Sequence, residues 1–228
     1  QWLRTRDLSS VPVWRDELYL EYHQGTFTTQ GAMKRANREA EVLLTNAEKM
    51  GTLATLVGHQ YGSNAIAGAW KSALFNQFHD ILPGSSIREV YIDAAEEMRE
   101  AGSTASFELD RAIGALAGAA NTSSARNAVP LLVFNTLAWD RSDIVEYPLA
   151  RGDTNSYAVL TADARPVPSQ TVGSKGTGRT LLFVARDVPA MGHDLYLLKP
   201  GRTPAATHGL SAGREGLAAP ESIATEGG

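Results

Sequence analysis

The feature that most constrains this fold is a long stripe of small and apolar residues between Ile87 and Leu116. Its members recur every three or four positions, as on one face of a helix. At ~1.5 Å per residue this helix would be roughly 45 Å long, and it would not be stable on one stripe without neighbours. Gly102 and Gly114 weaken it by a further ~1 kcal/mol each relative to Ala. The stripe therefore predicts helix packing along Ile87, Val90, Tyr91, Ala94, Met98, Ala101, Ala105, Leu109, Ala112, Ile113 and Leu116.

Two earlier segments have the same periodicity and can supply the neighbouring helices. The first is predicted from Gln30 to Met50, with Gly51 as its left-handed C-terminal residue. The second is predicted from Ala65 to Phe78 and is stopped by the Pro-Gly pair that follows at 83–84. Three helices in succession predict a small bundle over residues 29–120. The charged residues of the first helix are expected to form a solvated face: Lys34, Arg35, Arg38, Glu39, Glu41, Glu48 and Lys49.

The periodicity changes after a Ser/Thr/Asn-rich linker at 121–127. Short apolar runs near 131–134, 144–147, 167–172, 180–185 and 195–198 predict strands, with 167–172 at a sheet edge because of Pro168. Short strands separated by turn residues predict part of a β-sandwich over 128–200. The expected fold class is α+β, a three-helix bundle followed by part of a β-sandwich. Residues 201–228 are rich in Gly, Ala, Pro and Thr and predict a linker or an interrupted domain.

Charge and composition argue against several classes of function. The net charge of −4 implies no basic face for nucleic acid or an anionic membrane. The absence of Cys excludes disulfides and cysteine-ligated metals. No apolar run approaches the ~18 residues of a membrane span. No signal peptide opens the sequence, which leads us to expect a cytoplasmic location.

His79 and Asp80 are the main candidate functional residues. They lie in the string NQFHDILPGSS at 76–86, and Ser86 with Glu89 forms a capping box that predicts the start of the third helix. An exposed loop between rigid helices is a common setting for binding and catalytic residues. The residues alone leave two interpretations open. His79 is either a cation at the negative end of a helix dipole or a metal ligand beside a substrate-binding carboxylate.

His23 is a second candidate, in the predicted loop at 23–26 that follows an alternating segment. Its residue type and position fit a surface or packing histidine as well as a residue that lines a site.

Four strings of this sequence resemble the family 38 α-mannosidases. They are AWKSALFNQFHDILPGSSI at 69–87, ELYLEYHQGTFTTQ at 17–30, VFNTLAWDR at 133–141 and VPAMG at 188–192 with Tyr196 following. The matches fall in the order of the family and span roughly residues 11–198. The resemblance implies that residues 1–28 are the tail of an N-terminal catalytic domain. It further implies that 29–120 is the helical middle domain and that 128–200 begins the C-terminal β domain.

The resemblance also implies a function. Members of this family are zinc-dependent, retaining, exo-acting enzymes that release mannose from oligosaccharides, and a retaining mechanism needs two carboxyl groups at close range. In the family both carboxylates, and the other zinc ligands, come from the N-terminal catalytic domain. No catalytic residue is therefore expected in this sequence. The matching positions imply that His79 binds Zn²⁺ and that Asp80 contacts sugar hydroxyls. His23 is expected near the substrate, although Gln24 stands where the family commonly has a basic residue.

An alternative from another class remains open, a non-catalytic carbohydrate-binding or protein-interaction module without metal. The loop Gly84-Ser85-Ser86 at a helix N-terminus could hold an anion in such a module. In the enzyme interpretation the partners are a mannose-containing oligosaccharide and an N-terminal catalytic domain of the same chain. The two interpretations differ in whether His79 faces an open surface or packs inside the bundle.

Overall fold

The computed structural model describes residues 7, 9–16, 25–174, 178–201, 212–213 and 216–217 of the 228. These residues form two compact units. The first comprises the described residues within Gln1–Ala47 and Gly62–Glu108, and the second those within Glu48–Tyr61 and Leu109–Gly228. None of the described helices is both long enough and apolar enough to cross a membrane.

Three α-helices confirm the predicted helical region, with shifted ends. Helix α1 is Gly31–Ala54, α2 is Ser63–Phe75 and α3 is Arg88–Ala119. A short 3-10 turn, Thr55–Val57, extends α1. Helix α1 therefore runs past Gly51, which we predicted to end it. A Cβ at Gly51 would lie 2.5 Å from the Tyr61 ring, so this glycine permits a close approach inside the helix.

Helix α2 begins at Ser63 without a side-chain N-cap, but a carboxylate from α3 lies at its first turn. A Cβ on Gly62 would lie 2.5 Å from Oε2 of Glu108, whose side chain is buried. Negative charge at the N-terminus of a helix is stabilised by the free N–H groups and the helix dipole. A side chain at position 62 would displace the end of the Glu108 side chain. Glycine at the N-cap thus leaves room for the Glu108 carboxylate beside the start of α2.

The apolar stripes meet in the core of the first unit. Small residues predominate on α3, and this allows helices to approach closely. The buried apolar side chains among the described residues of this unit are Met33, Ala40, Leu44, Ala47, Ile66, Ala69, Ala73, Ile81, Ala94, Met98, Ala101 and Ala105. Burial of apolar surface at ~25 cal/mol per Å² is the main stabilising contribution to such a bundle.

The second unit contains two antiparallel sheets. The strands are β1 Val129–Phe134, β2 Arg141–Pro148, β3 Tyr157–Thr161, β4 Pro166–Val167, β5 Ser169–Ser174, β6 Gly178–Val188 and β7 His193–Pro200. One sheet has the order β1-β7-β3-β4 and the other the order β2-β6-β5. Strand β3 was not among our predicted strands. A further short pair, β8 Ala212–Gly213 and β9 Gly216–Leu217, lies in the predicted linker.

The predicted strand at 167–172 is divided by Pro168. Strand β4 pairs with β3 in the first sheet, and β5 pairs with β6 in the second. Both pieces are edge strands, as Pro168 led us to expect, because proline has no N–H to donate to a ladder. The prediction of a single strand was wrong, since the chain changes sheets at this residue.

The two sheets share one apolar core, which confirms the α+β class with a β-sandwich. Phe183 of β6 and Tyr196 of β7 come from different sheets, and their ring centroids lie 5.0 Å apart. The same core contains Leu149, Val159, Val167, Leu181, Ala185, Val188 and Leu198.

Asn135 fixes the turn after β1, within the VFNTLAWDR string. It is buried, and its side-chain amide donates to the carbonyl oxygens of Trp139 at 2.7 Å, Val188 at 3.0 Å and Pro189 at 3.2 Å. Its Oδ1 accepts from the N–H of Leu137 at 3.0 Å. One side chain thus satisfies backbone groups of two separate turns, which gives this motif a structural explanation.

Candidate functional site

The structure places His79 and Asp80 side by side on an exposed loop. Their side chains are 78% and 56% exposed, and Nε2 of His79 lies 3.6 Å from Oδ2 of Asp80. The loop follows the end of α2 at Phe75 and leads to the start of α3 at Arg88. The His79 ring packs against the exposed ring of Phe78, with ring centroids 4.1 Å apart and an angle of 49° between the ring planes. Both polar side chains therefore face open space and do not pack inside the bundle.

Hydrogen bonds from the α3 side hold the backbone of Asp80. The Ser86 hydroxyl donates to the Asp80 carbonyl at 2.5 Å. The Tyr91 hydroxyl lies 3.1 Å from the carbonyl oxygen of Ile81 and 3.4 Å from that of Asp80, and it accepts from the Ser86 N–H at 3.1 Å. The side chain of Ile81 is buried in the core of the first unit and anchors the loop there. The carboxylate of Asp80 remains outward, and beside its contact with His79 its Oδ1 lies 3.4 Å from the Ser85 hydroxyl.

Lys34 of α1 holds the other end of the loop. Its ammonium nitrogen lies 2.9 Å from the carbonyl oxygen of Leu82 and 3.3 Å from that of Pro83. It also lies 2.6 Å from the carbonyl oxygen of Thr29, before α1. One cation thus joins the loop backbone to the segment that precedes α1. We predicted a solvated Lys34, and this prediction was wrong.

A cluster of polar side chains holds Gln77, two residues before His79. The amide of Gln77 donates to Oδ1 of Asn37 and to Oε1 of Glu41, each at 2.9 Å. Oε2 of Glu41 is paired with the exposed Arg38 at 3.0 Å. Arg38 and the exposed Arg35–Glu39 pair fit the predicted solvated face, whereas Glu41 faces the loop.

Asn76 forms the connection from α2 to α3. It is 1% exposed, and its amide donates to Oε2 of Glu97 at 2.7 Å and to the carbonyl oxygen of Ser72 at 2.9 Å. Its Oδ1 has no hydrogen-bond partner within the described part of the chain. The residue that follows α2 is therefore tied to α3, and this fixes where the loop begins.

Gly84 closes the loop against the segment before α1. Its φ is +97°, in the left-handed region that favours glycine. A Cβ there would lie 2.8 Å from Cγ2 and 2.9 Å from the carbonyl oxygen of Thr29. The position needs glycine both for its backbone conformation and for the close approach.

The donor types at this loop fit one part of a zinc site. Zinc binds histidine nitrogen and carboxylate oxygen, and an exposed imidazole beside an exposed carboxylate offers both. Over the residues that the structure describes, no three His, Asp or Glu side chains are grouped to hold a metal ion. The second predicted site residue, His23, lies outside the described residues.

Sequence reasoning identified the two outward residues of the loop but missed the residues that support it. Lys34, Asn37, Gln77 and Tyr91 all contact the loop or its neighbours through polar groups. A weak signal was present, because Lys34 lies in the first turn of a helix, where a cation is disfavoured by the dipole.

Comparison with known proteins identifies the relatives of this chain. Residues 21–116 match the family model described as "Alpha mannosidase middle domain". Alpha-mannosidase 2C1 of Mus musculus is 34% identical over 172 residues, which cover 73% of this chain and 16% of the relative. Alpha-mannosidase of Saccharomyces cerevisiae is 29% identical over 146 residues, covering 62% of this chain and 13% of the relative. The chain thus spans about one sixth or less of the length of these relatives.

Two solved structures share the fold. One is described as a protein in the Glycosyl Hydrolase Family 38 from Enterococcus faecalis, with 22% identity and a TM-score of 0.69 over 82% of this chain and 27% of that one. The other is an alpha-mannosidase from Enterococcus faecalis V583, with the same identity and TM-score over 82% of this chain and 26% of that one.

The fold is that of a helical middle domain and a β domain from a multidomain glycoside hydrolase. More closely, the chain belongs to the family 38 α-mannosidases.

Proposed function

We propose that this chain is the part of a zinc-dependent, retaining exo-α-mannosidase that supplies one zinc ligand and one sugar-binding acid. His79 is the ligand and Asp80 is the acid. The observation that carries the proposal is the outward, adjacent placement of the two side chains on a loop whose backbone is held from both sides. The substrate is a mannose-containing oligosaccharide with a terminal α-mannoside. The alternative, a metal-free binding module, is favoured by no observation of the described residues.

His79 would bind the metal through one ring nitrogen of its neutral imidazole, and the other nitrogen would then need a hydrogen-bond acceptor. Asp80 would accept hydrogen bonds from mannose hydroxyls and orient the ring. When bound, zinc supplies Lewis-acid anchoring of sugar hydroxyls. The two residues thus bind and orient the substrate, and neither forms nor breaks the glycosidic bond.

The nucleophile and the acid/base, together with the other zinc ligands, would come from an N-terminal catalytic domain of the same protein. Exposed large apolar side chains in and next to the loop segment support a covering domain there. Leu74, Phe75, Phe78 and Ile87 are exposed by 56%, 65%, 49% and 68%. Large apolar side chains grouped at a surface are typical of interfaces. His23 would contact the substrate from the segment that joins this catalytic domain to the helical middle domain.

The test is to measure zinc content and mannosidase turnover of the complete protein that carries this chain, before and after His79→Ala. We expect the variant to lose about one equivalent of zinc together with turnover. His193→Ala, an exposed histidine on β7, is the matched control and should lose neither. Unchanged zinc and activity in His79→Ala would contradict the proposal and would favour the metal-free binding module.

The 228-residue chain alone should release no mannose, because it would lack the carboxylates of the reaction. Detectable turnover by the purified chain would contradict this part of the proposal.

A further inference from the structure

We propose that Lys34 is a positioning residue, which holds the His79–Asp80 loop in place for zinc and substrate. The inference rests on the proposed function of that loop. It assigns to a residue of α1 a role in metal affinity, although Lys34 touches neither His79 nor Asp80 through its ammonium group.

The ammonium group of Lys34 is saturated by backbone carbonyls. A lysine ammonium has three N–H donors and no acceptor. Three carbonyl oxygens lie around Nζ, those of Thr29 at 2.6 Å, Leu82 at 2.9 Å and Pro83 at 3.3 Å. No acidic side chain is among these partners. The cation therefore serves to bind backbone, and two of its three acceptors belong to the loop that carries the site.

The placement of this cation is electrostatically unfavourable for α1 itself. Lys34 is the fourth residue of the helix, and the first turn has no acidic residue to offset its charge. A cation near the positive end of a helix dipole is disfavoured. The loop carbonyls supply the compensating interaction, which links the charge at position 34 to the loop.

Lys34 holds the end of the loop that follows the His79–Asp80 pair. On one side of the His79–Asp80 pair, Gln77 is bound to α1 through Asn37. On the other side the carbonyls of Leu82 and Pro83 are bound by Lys34. Both ends of the loop are thus hydrogen-bonded to the same helix, and these bonds oppose a shift of the whole loop. Removal of the Lys34 bonds would loosen the end that follows Asp80, which would then be held only by the bonds of Ser86 and Tyr91 to the Asp80 and Ile81 carbonyls and by the buried Ile81 side chain.

The experiment uses Lys34→Met in the complete mannosidase and measures two quantities. The first is the zinc dissociation constant, obtained by competition with a chelator. The second is amide hydrogen exchange at Leu82 and Gly84. The N–H of Leu82 donates to the carbonyl oxygen of Phe78 at 3.0 Å, and that of Gly84 donates to the carbonyl oxygen of Ile81 at 3.1 Å. We expect zinc binding to weaken about tenfold, the lower end of the loss when a ligand's support is removed. We expect faster exchange confined to the loop.

Two controls separate positioning from general stability. Lys71→Met removes an exposed lysine from α2 and should change neither quantity. Leu44→Ala removes a fully buried side chain from the core. It should lower the Tm but leave the zinc dissociation constant of the folded protein unchanged. A Lys34→Met variant that keeps wild-type loop exchange, or that loses loop protection while binding zinc normally, would overturn the proposal. Failure of the proposed function is recognised separately, by a His79→Ala variant that retains its zinc.

Discussion

The side-chain amide of Gln77 donates to Oδ1 of Asn37 at 2.9 Å, across 40 positions of sequence. Asn37 is only 9% exposed, and Gln77 is half-buried. A buried amide pair is stable only when its donors and acceptors are satisfied, and Glu41 completes this cluster at 2.9 Å from Gln77. These hydrogen bonds fix the position of Gln77, two residues before His79, relative to α1. It explains why a loop with exposed functional groups can have a defined backbone.

Asn76→Ala should destabilise the helical unit by about 1–2 kcal/mol. The change removes a donor to Glu97 and one to Ser72, while it also removes the unpartnered Oδ1, which offsets part of the loss. Urea denaturation gives the free energy of unfolding. Asn64→Ala, at an exposed position of the same helix, should stay within about 0.5 kcal/mol of wild type. Equal effects of the two substitutions would show that the buried amide contributes no stability.

Gly84→Ala should destabilise the unit by about 2–4 kcal/mol, because it combines a positive φ with a backbone clash. Its φ is +97° and the new Cβ would lie 2.9 Å from the carbonyl oxygen of Thr29. Gly58 is the matched control, with φ +87° and nothing within 4 Å of the point where a Cβ would lie. Gly58→Ala should cost only the strain of about 1–2 kcal/mol. Thermal denaturation of both variants tests the difference, and equal losses would mean that the contact with Thr29 is immaterial.

Asp80→Asn in the complete mannosidase should lower kcat/KM about ten- to hundredfold, as expected for loss of hydrogen bonds to a charged group. The fold should be unchanged, since it is the main-chain carbonyl of Asp80 that accepts from Ser86. Steady-state kinetics and the Tm check the two statements. Asp93→Asn, an exposed acid on α3, should leave both values at wild type. Undiminished turnover in Asp80→Asn would remove Asp80 from the substrate site.

Asn135→Ala should destabilise the β-sandwich by about 3 kcal/mol, because three carbonyl groups and one N–H lose their partner together. Asn135→Asp should destabilise it more, since a carboxylate would face three carbonyl oxygens. The free energy of unfolding in urea measures both. Less destabilisation by Asp than by Ala would show that the donors of Asn135 are not the important groups.

The stability of the β-sandwich should depend on pH through Tyr157 and Asp153. The Tyr157 hydroxyl donates to Oδ2 of Asp153 at 2.6 Å. This bond, with the backbone N–H of Asn155, lowers the pKa of Asp153 below its ordinary 3.8, and the same bond to Asp153 raises the pKa of Tyr157 above 10.0.

The signs follow from proton linkage. The lowered pKa of Asp153 gives stability that is present above pH 3.8 and lost as pH falls through the folded-state value. The raised pKa of Tyr157 gives stability that is present below pH 10.0 and lost as pH rises through its folded-state value. Tm measured against pH should therefore fall less steeply at both extremes in Tyr157→Phe. Parallel profiles for the variant and wild type would contradict the role of this bond.

The order of elements could be read from sequence because apolar periodicity is a local property. The stripes of α1, α2 and α3 and the runs of β1, β6 and β7 each lie within one continuous segment. The outward pair His79 and Asp80 was also found locally, from residue types in a short loop between helices. The strand at Tyr157–Thr161 was missed, although its apolar run at 157–160 is as long as the predicted runs at 131–134 and 195–198.

Local sequence patterns predicted three helices, a change to strands and the loop that carries His79 and Asp80. Three further features became visible only in the folded chain: Gly51 lies inside α1 against Tyr61, the chain changes sheets at Pro168, and Lys34 binds loop carbonyls. These features depend on groups far apart in the chain, and their partners exist only after the elements pack. Periodicity states which face of an element is buried, whereas packing and hydrogen bonding decide what that face meets.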